Sequence, residues 1–276
     1  MNYRHAFHAG NFADLVKHAT LTVLLEALQR DAAPLQVLDT HAGAGAYDLS
    51  GGMAGKTREA DAGIVRLMDD GNAPPAFDAL EAAVRRLNPE GGVRYYPGSP
   101  LLIAERLRPD DGYIGCELRP DDHAALTQTL GAFPNAEARL GDGYAEAANQ
   151  FRRGLRSLVV IDPPFERSDD YENILGAVAA ARALDAGVHF AIWLPLKDLE
   201  TFDAFLRGLE DRSPGGFLVA EARLKPLHEP LKMNGCAMVL IDPPAGVEAP
   251  LRAICGWVAE TLGNNGALGR VAAFGM

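Results

Sequence analysis

The run Ser157-Leu-Val-Val-Ile-Asp162-Pro163-Pro164-Phe165 constrains this 276-residue chain more than any other. Its apolar, largely β-branched stretch is short and bounded by breakers, the pattern of a buried strand. Neither proline has an N–H to give to a ladder, so the strand must stop at Asp162. Open α/β sheets bind ligands at the carboxyl ends of their strands. The corner formed there offers a carboxylate, the carbonyl of Pro163 and the face of Phe165. Those groups suit the holding of a planar base by its exocyclic amine.

A second stretch, Ala237-Met-Val-Leu-Ile-Asp242-Pro243-Pro244-Ala245, repeats the strand, the acid and both prolines. It puts Ala245 where the ring stood. Without a stacking face, Asp242 reads as a turn that ends a strand.

Around these two corners, strands alternate with helices, which implies a mostly parallel sheet with helices on both faces. Apolar spacing predicts a helix over 11–30. Leu35–Asp39 reads as a strand, followed by the glycine-bearing Thr40-His41-Ala-Gly43-Ala-Gly45. Helical stretches near 59–70 and 75–87 form a small helical insert at about 50–93 within a single domain spanning 1–276. Ser99 is placed to N-cap a helix reaching about Arg108, with Pro100 in its first position. Gly112–Glu117 reads as a strand ending in an acid. A helix near 121–132 and a strand near 138–140 lead to Gly141-Asp142-Gly143. Further helices are expected at 170–184, 198–209 and 248–262, and a strand at 189–194. Closing strands near 217–224 and 236–242 flank a tip containing Met233-Asn234-Gly235, and Asn-Gly is a hairpin signal. The hairpin makes the sheet mixed.

Composition bounds the rest. The chain is 48% hydrophobic and 23% charged, ordinary for a globular protein with an ample core. No apolar run reaches membrane-span length, and the amino terminus has no signal-peptide core. The three cysteines (Cys116, Cys236 and Cys255) have no metal spacing, and their odd number argues against a disulfide framework. No metal is expected, the chain reads as cytoplasmic, and nothing in the sequence demands a dimer. A net charge of −11 argues against general polyanion binding. Charge is uneven, however. Arg4, His5, His8, Lys17 and His18 cluster against the one acid Asp14, with further basic groups at Arg152-Arg153-Arg156 and from Arg223 to Lys232. A local basic patch is enough to bind nucleic acid.

Gly43 and Gly45 let the backbone turn closely around a ligand just past the first strand. The third glycine of a dinucleotide fingerprint is missing. An acid about 20 residues on would bind ribose hydroxyls from a strand end. Glu59 stands at that distance but has no strand before it, and it reads as a solvated helix-start residue. Glu117 ends the next strand once the insert is set aside. Glycine loop, strand-end acid, Gly-Asp-Gly and Asp-Pro-Pro-Phe come in the order of an S-adenosylmethionine methyltransferase. Glu117 would hold the cofactor's ribose diol and Asp142 its adenine amine. At the corner, Asp162 and the Pro163 carbonyl would accept both protons of an adenine N6 amine, leaving a usable lone pair, while Phe165 stacks on the base. Positioning supplies much of the rate in such a reaction. A base in a stack must first be flipped out to reach the corner.

Four stretches resemble the bacterial 23S ribosomal RNA adenine-N6 methyltransferases of the J type. They are Tyr3-Arg4-His5-Ala-Phe7-His8-Ala-Gly10-Asn11 with Asp14 and Lys17-His18, Leu38 to Gly45, Arg94-Tyr-Tyr-Pro-Gly-Ser-Pro100, and Ile161 to Pro164. The resemblance runs nearly end to end. It implies a Rossmann-like methyltransferase sheet with a helical insert, using S-adenosylmethionine and acting alone on one adenine of naked or early-assembly 23S rRNA. It also implies cofactor contacts from His18, His41, Gly43, Gly45, Ser99, Glu117, Asp142, Gly143 and Asp162. Asp162, Pro163 and Phe165 would be catalytic, with Tyr3, Arg4 and Lys17 near the substrate. The family usually carries tyrosine where this chain has Phe165, so stacking is kept and a hydroxyl is lost. DNA adenine-N6 or protein glutamine methylation is a rival reading of the same corner. A non-catalytic rRNA-binding assembly factor is a rival of another class.

Overall fold

Residues 158–161 can form a central strand because both faces of the sheet are covered there. Leu158 and Val160 join one core and Val159 and Ile161 the other, all at most 1% exposed. The computed structural model describes residues 8–50, 58–149, 155–213, 215–227 and 232–275. Tyr3 and Arg4 lie outside the described residues, as do Arg152 and Arg153.

Eight strands make one sheet: β1 (Leu35–Asp39), β4 (Gly112–Glu117), β5 (Ala136–Leu140), β6 (Arg156–Ile161), β7 (His189–Leu196), β8 (Phe217–Arg223), β9 (Gly235–Ile241) and β10 (Leu268–Phe274). Their order is β10-β8-β9-β7-β6-β1-β4-β5. β5, β4, β1, β6 and β7 run parallel, and β9, β8 and β10 add antiparallel pairings. The sheet is thus mixed and Rossmann-like, as expected. On one face pack α1 (Phe12–Leu28), α4 (Ser99–Ala104), α5 (Pro120–Leu130) and α9 (Glu248–Leu262). On the other pack α6 (Gly143–Asn149), α7 (Asp170–Leu184) and α8 (Leu199–Arg212).

Between β1 and β4 the chain loops out. β2 (Ala46–Asp48) and β3 (Tyr95–Pro97) pair antiparallel at the base of this excursion. It contains a π turn (Asp61–Val65) running into α2 (Arg66–Met68), and a 3₁₀ turn (Pro75–Phe77) running into α3 (Asp78–Leu87). Phe77 meets Trp257 of α9 edge-on at 5.1 Å, and Trp257 Nε1 donates to Asp70 at 2.7 Å. The excursion is therefore anchored to the helical face of the sheet.

Several elements differ from the sequence reading. Gly98, not Ser99, is the N-cap of α4, extended at φ −78° and ψ 172°. Ser99 is already helical, which frees its hydroxyl to reach Asp39. The helix ends at Ala104 rather than near Arg108, its ladder tightening into three-residue turns as Arg106 N donates to the Ile103 carbonyl and Leu107 N to that of Ala104. β8 and β9 do form a hairpin, but Asn234-Gly235 is not its turn. Gly235 opens β9 opposite Arg223, and residues 224–234 make the connection. Neither α6 nor edge strand β10 was anticipated.

Asp39 ends β1 with its side chain sealed from solvent. Ser99 Oγ and the Tyr113 hydroxyl donate to its Oδ2 at 2.7 and 3.3 Å, and His41 N donates to Oδ1 at 3.3 Å. Three chain segments are thereby tied to one carboxyl. Burial pushes its pKa up to about 6, against the opposing pull of these donors. The folded state then holds this proton more tightly than the unfolded chain. Wild-type stability falls as pH rises from about 4 to about 6, and the loss is complete above that window. Asp39→Asn removes this dependence. Its stability relative to wild type, read by urea unfolding, should rise by about 3 kcal/mol between about pH 4 and pH 7.5. A difference that does not change with pH would place the Asp39 proton in the ordinary carboxylate range.

Candidate active site

Parallel strands leave the sheet at the same edge, and there the carboxyl ends of β1, β4, β5, β6 and β7 surround a cavity of about 370 Å³. Its wall brings together Lys17, His18, His41, Gly43, Ser99, Glu117, Asp142, Gly143, Asp162, Pro163 and Phe165, which are scattered over nearly 150 positions of sequence. Gly45 is not part of that wall. It turns at φ 83°, its carbonyl accepts from Gly98 N at 2.8 Å, and a Cβ there would strike Thr129 Cγ2 at 2.8 Å. Its smallness serves packing against α5.

Asp162 receives its geometry from α1. Asn11 caps that helix, accepting from the backbone N of Ala13 and Asp14. Asp14 in the first turn accepts from Gly10 N at 2.9 Å. Lys17, one turn on and only 5% exposed, places its Nζ 3.0 Å from Asp14 Oδ1 and 2.5 Å from Asp162 Oδ2. The sequence reading put Lys17 near the substrate; here its ammonium lies within the cavity wall, ion-paired with the acid of the corner. His18, fully buried, shares a hydrogen bond between Nδ1 and the Tyr96 hydroxyl at 2.7 Å.

Phe165 adopts φ 50°, a left-handed conformation rare for a bulky residue. Two prolines in succession followed by this turn swing the ring back toward the sheet. It lies 5.0 Å from the Tyr171 ring and 5.8 Å from that of Trp193. The corner therefore brings Asp162, Pro163 and the buttressed ring of Phe165 to the same cavity.

The opposite half of the cavity is shaped by the loop after β1 and the end of β4. Gly43, at φ 67°, donates its N–H to Glu117 Oε2 at 3.1 Å, and Arg119 N donates to Oε1 at 2.8 Å. Burial raises the Glu117 pKa. Asp142 accepts from Tyr144 N, and Gly143 lets this turn lie against β1, since a Cβ would fall 2.1 Å from the Thr40 carbonyl oxygen. His41 stacks edge-on with Tyr144 at 4.9 Å, and burial pushes its pKa down to about 4. It adds no positive charge to the cavity at neutral pH.

Two expectations need correction or sharpening. Glu59 is not merely a solvated helix-start residue. It accepts from Asn11 Nδ2 at 3.0 Å and pairs with His8 Nδ1 at 3.0 Å, clasping the start of α1 to the excursion. His8 is raised in pKa chiefly by its hydrogen bond to Glu59. Asp242 stays outside the cavity for a reason beyond its missing ring. β9 runs antiparallel to β7, so its carboxyl end emerges at the other edge of the sheet, where the Asp242 carbonyl accepts from His189 Nδ1 at 2.5 Å.

Sequence reasoning missed Asp14, Trp193, Pro195, Lys197 and Met233, all on the cavity wall. Trp193, Pro195 and Lys197 alternate along the end of β7, while Leu194 and Leu196 pack into the opposite core. That period-two spacing at a parallel strand end was a readable signal.

Known proteins resemble this chain over nearly its whole length. The family model described as "Ribosomal RNA large subunit methyltransferase D, RlmJ" matches residues 32–272. The ribosomal RNA large subunit methyltransferase J of Haemophilus influenzae is 34% identical over 264 residues, covering 95% of this chain and 94% of the relative. The Escherichia coli protein of the same name is 32% identical over 266 residues, with the same coverage. The crystal structure of protein LPL1258 from Legionella pneumophila superposes with a TM-score of 0.88 at 28% identity, covering 96% of this chain and 98% of that one. The chain belongs to the ribosomal RNA large subunit methyltransferase J family.

Proposed function

We propose that this protein transfers a methyl group from S-adenosylmethionine to N6 of one adenine in 23S ribosomal RNA. The observation that carries this reading is the Asp162-Pro163-Pro164-Phe165 corner. It faces the same cavity as Glu117, Gly43 and Asp142.

The residues present fit the cofactor. Glu117 is a half-buried carboxylate at a strand end, raised in pKa by burial, and hydroxyl donors from a ribose diol would satisfy it. Gly43 at positive φ brings backbone close to that carboxylate. Asp142 stands across the β4–β5 edge to accept from an adenine amine. His41 is held neutral, so it does not repel a cationic group. When bound, S-adenosylmethionine supplies an electrophilic methyl carried on a good leaving group.

The rest of the chemistry belongs to the chain's own groups. Lys17 engages Oδ2 of Asp162 and fixes the plane of the carboxylate. The Asp162 carboxylate and the Pro163 carbonyl accept hydrogen bonds from the two N–H groups of an exocyclic amine, which favours a tetrahedral nitrogen with an available lone pair. Once the methyl is on the nitrogen, one of these protons is lost to solvent. Phe165, held by Tyr171 and Trp193, sets the angle of the base. Holding the amine in line for transfer is the main source of rate. The corner lies in a cavity, so the adenine must leave its stack to enter.

Comparing rRNA from cells with and without the gene, by nuclease digestion and mass spectrometry, tests the substrate. One N6-methyladenine in 23S rRNA should disappear. An unchanged pattern sinks the substrate assignment, and labelled-methyl transfer to RNA, DNA and protein in parallel would then identify the acceptor.

Two variants should separate chemistry from cofactor binding. Asp162→Ala should lower methyl transfer by roughly 100-fold or more, the scale of losing a positioned reacting group. That is a far larger change than any loss of S-adenosylhomocysteine affinity from its implied cofactor contact, read by calorimetry. Glu117→Ala should weaken S-adenosylhomocysteine by roughly 10-fold or more, the loss of a charge-assisted hydrogen bond. An Asp162→Ala enzyme that methylates normally would refute the assigned role of the corner.

A further inference from the structure

The rim of the cavity is electrostatically lopsided. On the β4–β5 side and at the start of α7 its cations are neutralised by their own neighbours. Arg119 pairs with Asp121 and Asp122, and Arg167 pairs with Asp169. Asp142, Asp170 and Glu117 add further acid there. A polyanion is disfavoured on that half.

The β7 side is different. Lys197 follows the last residue of β7, is exposed, and lines the cavity. Among the described residues its ammonium makes no ion pair or hydrogen bond. The adjacent Asp198 is engaged in capping α8, with Oδ1 accepting from Thr201 N and Oδ2 from Thr201 Oγ1, and Glu200 is exposed one position past Leu199. Lys225 lies just past the end of β8, in the basic 223–232 segment, half-exposed and likewise without an ion pair among the described residues. β8 runs parallel to β7 with β9 between them, so both lysines emerge at the catalytic edge. Two strand spacings separate the strand ends, about 10 Å.

One buried residue fixes both exits. Asn234, fully buried, donates its backbone N–H to the Leu196 carbonyl at 2.8 Å and its Nδ2 to the Lys197 carbonyl at 3.0 Å. Its own carbonyl accepts from Leu224 N at 2.9 Å. The backbones that carry the two lysines are thus pinned to each other, while their side chains remain open to solvent.

We propose that Lys197 and Lys225 form a phosphate-binding rail. On this view the RNA strand flanking the target nucleotide leaves the Asp162 corner across the ends of β7 and β8, away from the cofactor half. The inference rests on the reading of the corner as an RNA methylation site, and it says which way the RNA runs. It also explains how a chain of net charge −11 can hold RNA: the attraction comes from a few cations that no carboxylate neutralises.

The test uses the full chain and a 23S rRNA fragment that the wild type methylates. Lys197→Ala and Lys225→Ala should each raise KM for the fragment about fivefold. Each should also flatten the dependence of log KM on log salt by about 0.7 to 1 per lysine removed. Lys197→Arg should restore both. S-adenosylhomocysteine affinity should match wild type in all variants, which certifies the fold. Arg252→Ala, removing a cation paired with Glu248 on α9, should leave the salt slope alone. Normal methylation by wild type with an unchanged slope in both lysine variants overturns the rail by itself. A wild type that leaves 23S rRNA unmethylated overturns the underlying reading, and the rail with it.

Discussion

Strand direction is the constraint on which the rest of this structure depends. β1, β4, β5, β6 and β7 all run the same way, so whatever follows each of them is delivered to one edge. That is why Asp39, Glu117, Asp142, Asp162 and Lys197 are neighbours although helices and an excursion separate them in sequence. It is also why a second Asp-Pro-Pro stands outside the cavity. β9 has a strand composition like that of β6 and ends in the same three residues, yet it is threaded in the opposite sense between β7 and β8. Its acid comes out beside the start of β7, next to His189. The same tripeptide lines the cavity at one edge and ends a strand at the other.

Gathering acids at one edge has a cost, because like charges in a partly dry cavity repel and lose their hydration. The chain meets this in two ways. Burial raises the pKa of Asp39 to about 6, so its charge is avoided below that pH, and three donors satisfy its oxygens when it ionises. Asp14 and Asp162 instead share the Lys17 ammonium. A buried ion pair of this kind is weak evidence for stability, since desolvation consumes much of the attraction. Its value here is positional. It locks the first turn of α1 to the end of β6, and the Asn11 cap and the Glu59 clasp hold that turn from its other side.

Most of the strands and long helices were legible because their signals are local. β1, β4, α7 and α9 follow apolar periodicity and breakers, and their limits are those the sequence implies. What was illegible depends on partners far along the chain. Ser99 has every attribute of an N-cap, yet burial of Asp39 sixty residues earlier creates a stronger demand for its hydroxyl. Asn234-Gly235 has the composition of a tight turn, but the Asn234 side chain is worth more bridging to Lys197 inside the fold. Strand β10 has a mostly solvent-facing pattern that little distinguishes from a loop until β8 offers it an edge. At the site, acids after apolar runs announced themselves. Trp193 and Lys197 did not, because their roles come from which edge their element reaches.

The backbone at the two Asp-Pro-Pro corners offers an independent argument for where the chemistry lies. Each corner contains a non-glycine residue in the left-handed region, at a cost of about 1–3 kcal/mol. In the outer copy the strained residue is Asp242 itself, at φ 52°, and the strain turns the chain within the exposed exit. In the inner copy Asp162 is relaxed and the strain falls on Phe165, at φ 50°. A phenylalanine is a poor choice for that conformation if the aim is only to turn. Its ring is nevertheless packed between Tyr171 and Trp193 and faces the cavity, so the surrounding structure maintains the strain instead of relieving it. Neither aromatic contact needs a hydroxyl on the ring, so phenylalanine is fully supported at this place. The fold tolerates the unfavourable backbone where it aims a flat apolar face into the cavity beside Asp162 and Pro163. That arrangement suits the planar base of the proposed substrate better than it suits a turn.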